Sequence, residues 1–324
     1  MNIKGLLIIV GIGLVMACEL WSMPASPKSV WTKASAGNNS VKPELEKVWH
    51  SETVGVNVPA YLNANTQGGS ITVKSHNKNE ITVHIFVKKR GQFVTDEDVP
   101  VDVSISESKN GLEITSNVQR GGFFWRIPPI SVSYHILVPR QTEVRARTSG
   151  GPVTASGIDH NVTLITSGGK ITAEEISGDV LARTSGGPIS VQQVTGNLTA
   201  RTSGGGIRIN NMTGTVNART SGGPINIDRV SGSIEAHTSG GSITANVRAL
   251  VNHLTLSTAG GSITARLPRN QGMDITARGG SIQNNLDDLT GEIGSRTMKG
   301  SVGGGGIPVK LITSGGSVQI SYRD

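Results

Sequence analysis

The tetrad T-S-G-G begins at Thr148, Thr166, Thr184, Thr202, Thr220 and Thr238, eighteen residues apart each time. Altered copies start at Thr258 (TAGG), Ala277 (ARGG) and Thr297 (TMKG), and the intact tetrad returns at Thr313. No other feature constrains the fold as much, because a short unit recurring at fixed period folds by stacking on its neighbours. Five residues after each start lies a β-branched apolar side chain: Val153, Ile171, Ile189, Ile207, Ile225, Ile243, Ile263, Ile282, Val302 and Val318. Two positions further come Ala155, Ala173, Val191, Ile209, Ile227 and Ala245, an alternation of period two that suits a strand. The second half of the unit supplies Val162, Val180, Leu198, Val216 and Ile234, and Ala146, Ala182, Ala200, Ala218 and Ala236 lie just ahead of tetrads.

One such unit is too short to bury its own apolar stripe. Stacked units would set Ile on Ile and Ala on Ala, with backbone hydrogen bonds between turns. The expected fold is therefore all-β: a β-solenoid (β-helix) of about ten turns of ~18 residues, preceded by an irregular all-β capping region. At a strand spacing of ~4.8 Å the rod would be roughly 48 Å long. A chain with 43 glycines and only 3% aromatic residues suits such a narrow core. The glycines are expected to supply corners with positive φ, and the tetrad hydroxyls a structural ladder at one corner.

Four segments follow. Residues 1–17 read as a lipoprotein signal peptide: Lys4, then an apolar stretch from Gly5 to Ala17, too short to span a bilayer. It ends at Cys18, the only cysteine, in a context that resembles a bacterial lipobox. Residues 18–45 read as a flexible tether rich in Ser, Pro, Lys and Asn. Residues 46–140 form an N-terminal all-β region, in which Thr66-Gln67-Gly68-Gly69 is an isolated first copy of the repeat. Residues 141–324 are the solenoid. The expected location is the cell envelope, exported and held by lipid on Cys18; if the host has an outer membrane, that membrane is favoured because Glu19 is not the aspartate associated with inner-membrane retention.

The segments Val58-Pro59 before TQGGSITV, Ile136-Leu137-Val138-Pro139, and the serial TSGG-x-I units resemble the putative-adhesin family of bacterial β-strand-repeat proteins, a domain of unknown function. The resemblance covers residues 50–322. It implies a cell-envelope β-repeat protein and offers no catalytic residues to carry over.

Chemistry is sparse along this chain. The carboxylates Asp159, Asp179 and Asp228 fall at different offsets from their tetrads and do not stack with one another, as a paired acid and base would require. No tetrad supplies the aspartate of a calcium-binding glycine repeat, and one cysteine with scattered histidines makes no zinc site. No catalytic residue, cofactor or metal is expected, and the chain is read as a non-enzyme. The net charge of +7 is spread along the sequence without a basic–aromatic run, so no nucleic-acid partner is expected.

Two features remain as candidate contacts. Arg183, Arg201, Arg219 and His237 precede successive tetrads and should stack on an outward face, as a solvated ladder or as a strip for an acidic glycan or envelope polymer. Ile165 interrupts this row after Arg147. Phe123, Phe124 and Trp125 form the one aromatic cluster, either a wedge over the first domain or a contact for a partner or membrane. The leading function is a non-catalytic envelope lipoprotein that binds or adheres through a repetitive face. The rivals are a carbohydrate-active β-helix enzyme acting on acidic polysaccharide, and a structural envelope protein without a ligand.

Overall fold

The computed structural model describes residues 47–95, 99–108, 110–118 and 129–323. Cys18 and the cluster Phe123, Phe124 and Trp125 lie outside the described residues. All regular structure described is strand. The repeat unit folds as two short strands. Ile189–Thr195 and Leu198–Arg201 represent it, joined at Gly196-Asn197 and followed by the tetrad corner from Thr202. Equivalent strands pair in parallel with no slip: Ile189 lies beside Ile207, and Ile207 beside Ile225. Leu198 lies beside Val216 and Ala200 beside Ala218 in the second ladder. The expected superposition of equivalent aliphatic side chains is thus present, and the fold is all-β and solenoid-like.

Ile189, Val191, Leu198 and Ala200 are buried, as the alternation predicts. Val194 is a third inward position that strict alternation misses. Gln192 and Gln193 both face solvent before Val194 turns in. This is possible because Gln193 sits at φ 54°, an extra left-handed residue that bends the strand around the core. Glu175, Asn211 and Arg229 repeat it one turn before and one and two turns after, at φ 55°, 53° and 53°. These bulges, with Gly157 in the turn before them, add a third inward row: Ile158, Ile176, Val194, Met212 and Val230.

The tetrad glycines do something other than what the sequence suggests. Positive φ falls at Gly196, Gly214 and Gly232 of the opposite turn, not at the tetrad. The second tetrad glycine is required for close approach: a Cβ on Gly187 would collide with the Gly169 carbonyl of the preceding turn. The first is freer, since a Cβ on Gly186 would lie 3.8 Å from the Gly168 carbonyl oxygen. The threonines of the intact tetrads and Thr258 are buried while the tetrad serines stay exposed. In the T-S-G-G copies each threonine hydroxyl bonds to backbone, whereas Thr66 Oγ1 of the isolated first copy also accepts from Ser116 Oγ at 3.1 Å. Thr202 Oγ1 donates to the Gly187 carbonyl at 2.9 Å and accepts from Gly205 N–H at 3.3 Å. The same pair of bonds recurs at Thr166, Thr184, Thr238, Thr258 and Thr313.

At both ends the order in space departs from the order in sequence. Ala60–Thr66 and Ile71–His76, the isolated first copy, pair directly with Thr142–Thr148 and Val153–Ile158, so the ladders run across residue 140. Gly111–Val118 and Ile130–Pro139 stack on the outer side of that first copy. At the other end the last tetrad is inserted. Ile307–Thr313 lies between Ile243–Thr258 and Met273–Arg278, and Ser317–Tyr322 lies between Ile263–Leu267 and Ser281–Asn285.

Two tetrad starts are corrected by this arrangement. Ala277 pairs with Leu311, so it fills the inward alanine position, and Arg278 pairs with Ile312 in the row that precedes a tetrad. The ARGG corner is two residues shorter than the others. The Thr297 copy is no parallel turn at all: Thr297–Val302 runs antiparallel to Met273–Arg278 and to Thr290–Ile293. Met298, in the place of the exposed tetrad serine, is buried.

Candidate functional site

Alternation turns the residue after each inward alanine outward, and the parallel register aligns these residues along the second ladder. Arg183 pairs with Arg201, Arg201 with Arg219, and Arg219 with His237. On the other side of Arg183 the row continues to Ile165 and then Arg147. The structure therefore brings all four ladder residues onto one face. They are not electrostatically equivalent. Arg219 donates to Glu235 at 2.8 Å, and His237 Nε2 lies 2.8 Å from the same carboxylate. The His237 hydrogen bond, with the nearby Arg219 charge, lowers the Glu235 pKa. Arg183 and Arg201 are exposed and make no ion pair among the described residues. They rim a shallow groove of about 320 Å³ lined also by Thr184, Ser185, Thr202 and Ser203.

A second, larger groove of about 680 Å³ lies on the outer face of the same ladder near its C-terminal end. Arg278, Lys299 and Lys310 supply its cations, Glu292 its carboxylate, and Ile293 and Ile312 its apolar wall. Sequence spacing alone could not find it. Its residues become neighbours through the inserted strand Ile307–Thr313 and the antiparallel strand Thr297–Val302.

The carboxylates weighed for catalysis have structural partners. Asp159 accepts two hydrogen bonds from Arg140, at 2.7 and 3.0 Å, and those bonds lower its pKa. Its neighbour His160 accepts the Asn161 N–H through Nδ1 at 2.8 Å. Asp179 Oδ1 accepts the Asn197 N–H one turn away, while Asn161 Oδ1 accepts the Asp179 N–H, so this column stitches turns together. Asp228 accepts from Asn246 Nδ2 at 2.8 Å. Among the described residues no three His, Cys, Asp or Glu side chains converge where they could hold a metal. The exposed aromatic that is described is Phe93, with the Lys47 and Lys88 ammoniums 5.1 and 4.4 Å from its ring centre.

Stacked parallel strands, a threonine ladder and shallow cationic grooves define a β-repeat protein of the solenoid-like class. The chain belongs to the Toastrack DUF4097 family, whose model matches residues 61–321. Two solved structures are similar. A "putative cell adhesion protein" from Clostridium sporogenes is 12% identical over 85% of this chain and 99% of its own, with a TM-score of 0.22. A "putative adhesin" from Bacteroides fragilis is 13% identical over 85% of this chain and 96% of its own, with a TM-score of 0.38. No curated protein matches the sequence.

Proposed function

We propose that this chain is a non-catalytic, adhesin-like binding scaffold of the cell envelope, held by lipid on Cys18, which lays an acidic glycan along the outer face of its second ladder. One observation carries the reading. Arg183 and Arg201 stand in register and exposed, with no ion pair among the described residues, beside a groove rich in hydroxyls. Two such charges ~5 Å apart repel by roughly 0.8 kcal/mol in water. A bound anion gains charge-assisted hydrogen bonds and removes that repulsion. The strand spacing of ~4.8 Å is close to the length of one sugar in an extended chain. A linear glycan with one acid group per residue therefore keeps step with successive turns. Each contact is exposed and weak, so affinity comes from many of them acting together.

Binding of the full chain to immobilised acidic and neutral polysaccharides, at low and high salt, tests the reading. The expected result is salt-sensitive retention on the acidic polymers, reduced at least tenfold by the double substitution Arg183→Glu, Arg201→Glu. Equal retention on neutral polymers, or none on either, would overturn it. Turnover of the polymer would favour the enzyme reading instead.

A further inference from the structure

The inserted C-terminal strand joins the two grooves into one track. From Arg201 the outward row runs through Arg219, His237, Ser257 and Ile312 to Arg278, each the direct neighbour of the one before. Five strand steps of ~4.8 Å separate Arg201 from Arg278, about 24 Å along the stack. Had the strands followed sequence order, Ile312 would not stand between Ser257 and Arg278. In the adjacent outward row, Lys310 lies beside Thr276, and Thr276 beside Lys299. Arg278, Lys299 and Lys310 are exposed and make no ion pair among the described residues. The middle of the track differs: there Glu235 holds both Arg219 and His237. Two cationic grooves thus lie on one face, with a neutralised stretch between them.

We propose that the two grooves are subsites for a single linear polyanion, which must be long enough to bridge from Arg183 and Arg201 to Arg278, Lys299 and Lys310. This rests on the binding reading above and adds to it a length requirement and a second set of residues. Short acidic oligomers occupy one groove at a time. An oligomer exceeding about 24 Å reaches both, and its second contact forms at high effective concentration. The neutralised centre makes the rise in affinity with length a step, because sugars lying over Glu235 gain no new cation. Ile293 and Ile312 give the distal groove an apolar wall for a sugar ring, which the proximal groove has only in Ile165.

Calorimetric titration of the full chain with oligogalacturonates of two to twelve residues tests the length requirement. The expected result is weak, nearly constant affinity for the short oligomers, then a rise of at least tenfold once they span both grooves. Lys299→Glu with Lys310→Glu should abolish the step and reduce short-oligomer binding from two equivalents per chain to one. A smooth increase with length, or a step insensitive to those two substitutions, overturns the two-subsite proposal and leaves the single-groove reading standing. No binding at any length overturns both. Circular dichroism of the variant, expected to match the parent, guards against loss of fold.

Discussion

Thr202 Oγ1 donates to the carbonyl of Gly187, fifteen residues earlier in the chain and one turn away in space, at 2.9 Å. That carbonyl is therefore satisfied by a side chain of the next turn. The tetrad is thereby explained as a unit: threonine to make the bond, and a second glycine so that the turns can approach closely enough to allow it.

Thr202→Val keeps the shape and removes the hydroxyl, leaving the Gly187 carbonyl and the Gly205 N–H without this partner. A buried polar group left unpaired costs about 1–3 kcal/mol. The expected result is a fall of that size in unfolding free energy by urea titration, with Thr202→Ser recovering most of it.

The two tetrad glycines should respond differently to a methyl group. Gly187→Ala drives a Cβ into the Gly169 carbonyl and must part the turns locally. Gly186→Ala meets only ordinary contact at 3.8 Å. The first is expected to lower the melting temperature by several degrees and the second to leave it nearly unchanged, as surface substitutions do within about 0.5 kcal/mol.

Glu235 restrains the lower half of the arginine row. Glu235→Gln removes the ion pair to Arg219 and frees His237, which extends the unpaired cations beyond Arg201. Polyanion affinity is expected to rise about three- to tenfold at neutral pH. Titration with a sulfated polymer, whose own charge does not change, should show the parent gaining affinity in acid. The part of this gain that comes from protonating Glu235 falls below the usual carboxylate range, because its pKa is lowered.

The Arg140–Asp159 pair sets a separate pH dependence. Because the folded-state pKa of Asp159 is lowered, its contribution is complete above the unfolded value near 4 and is lost as pH falls through the folded value. Both side chains are partly exposed, so the loss is under about 1 kcal/mol. Asp159→Asn should flatten that part of the stability profile between neutral and acid pH, measured by urea titration at each pH.

The eighteen-residue register was legible because successive units place the same residue types at the same offsets, and Ile189, Ile207 and Ile225 stack as that spacing predicts. The bulge at Gln193 was not legible, since a polar residue with left-handed φ leaves no mark in composition. The order of the end turns was hidden for a physical reason. Thr313 offers the Gly261 carbonyl the same bond that any other tetrad threonine would, so the adhesive chemistry of a turn does not specify its neighbour. Met298, a large apolar side chain in the place of the exposed serine, is buried in a strand that runs antiparallel to its neighbours. The arginine row was found from spacing, but its division into free and neutralised halves depends on Glu235. Its continuation to Arg278 depends on the inserted strand.

Ser281–Asn285 has its only described strand partner in Ser317–Tyr322, and Met273–Arg278 reaches the rest of the stack through Ile307–Thr313. Removing residues 307–324 should release residues 273–302 as a proteolytically sensitive piece while the turns before Thr258 stay resistant, a result readable by limited proteolysis and mass spectrometry.

That same wedge has a bearing on biogenesis. A rod whose turns followed their order of synthesis could wind up progressively as the chain emerged. Here residues 307–322 fill a slot between two earlier segments, so winding of this part cannot finish until that later segment has arrived. A product truncated before residue 307 is left with unpaired strand edges where that segment would insert.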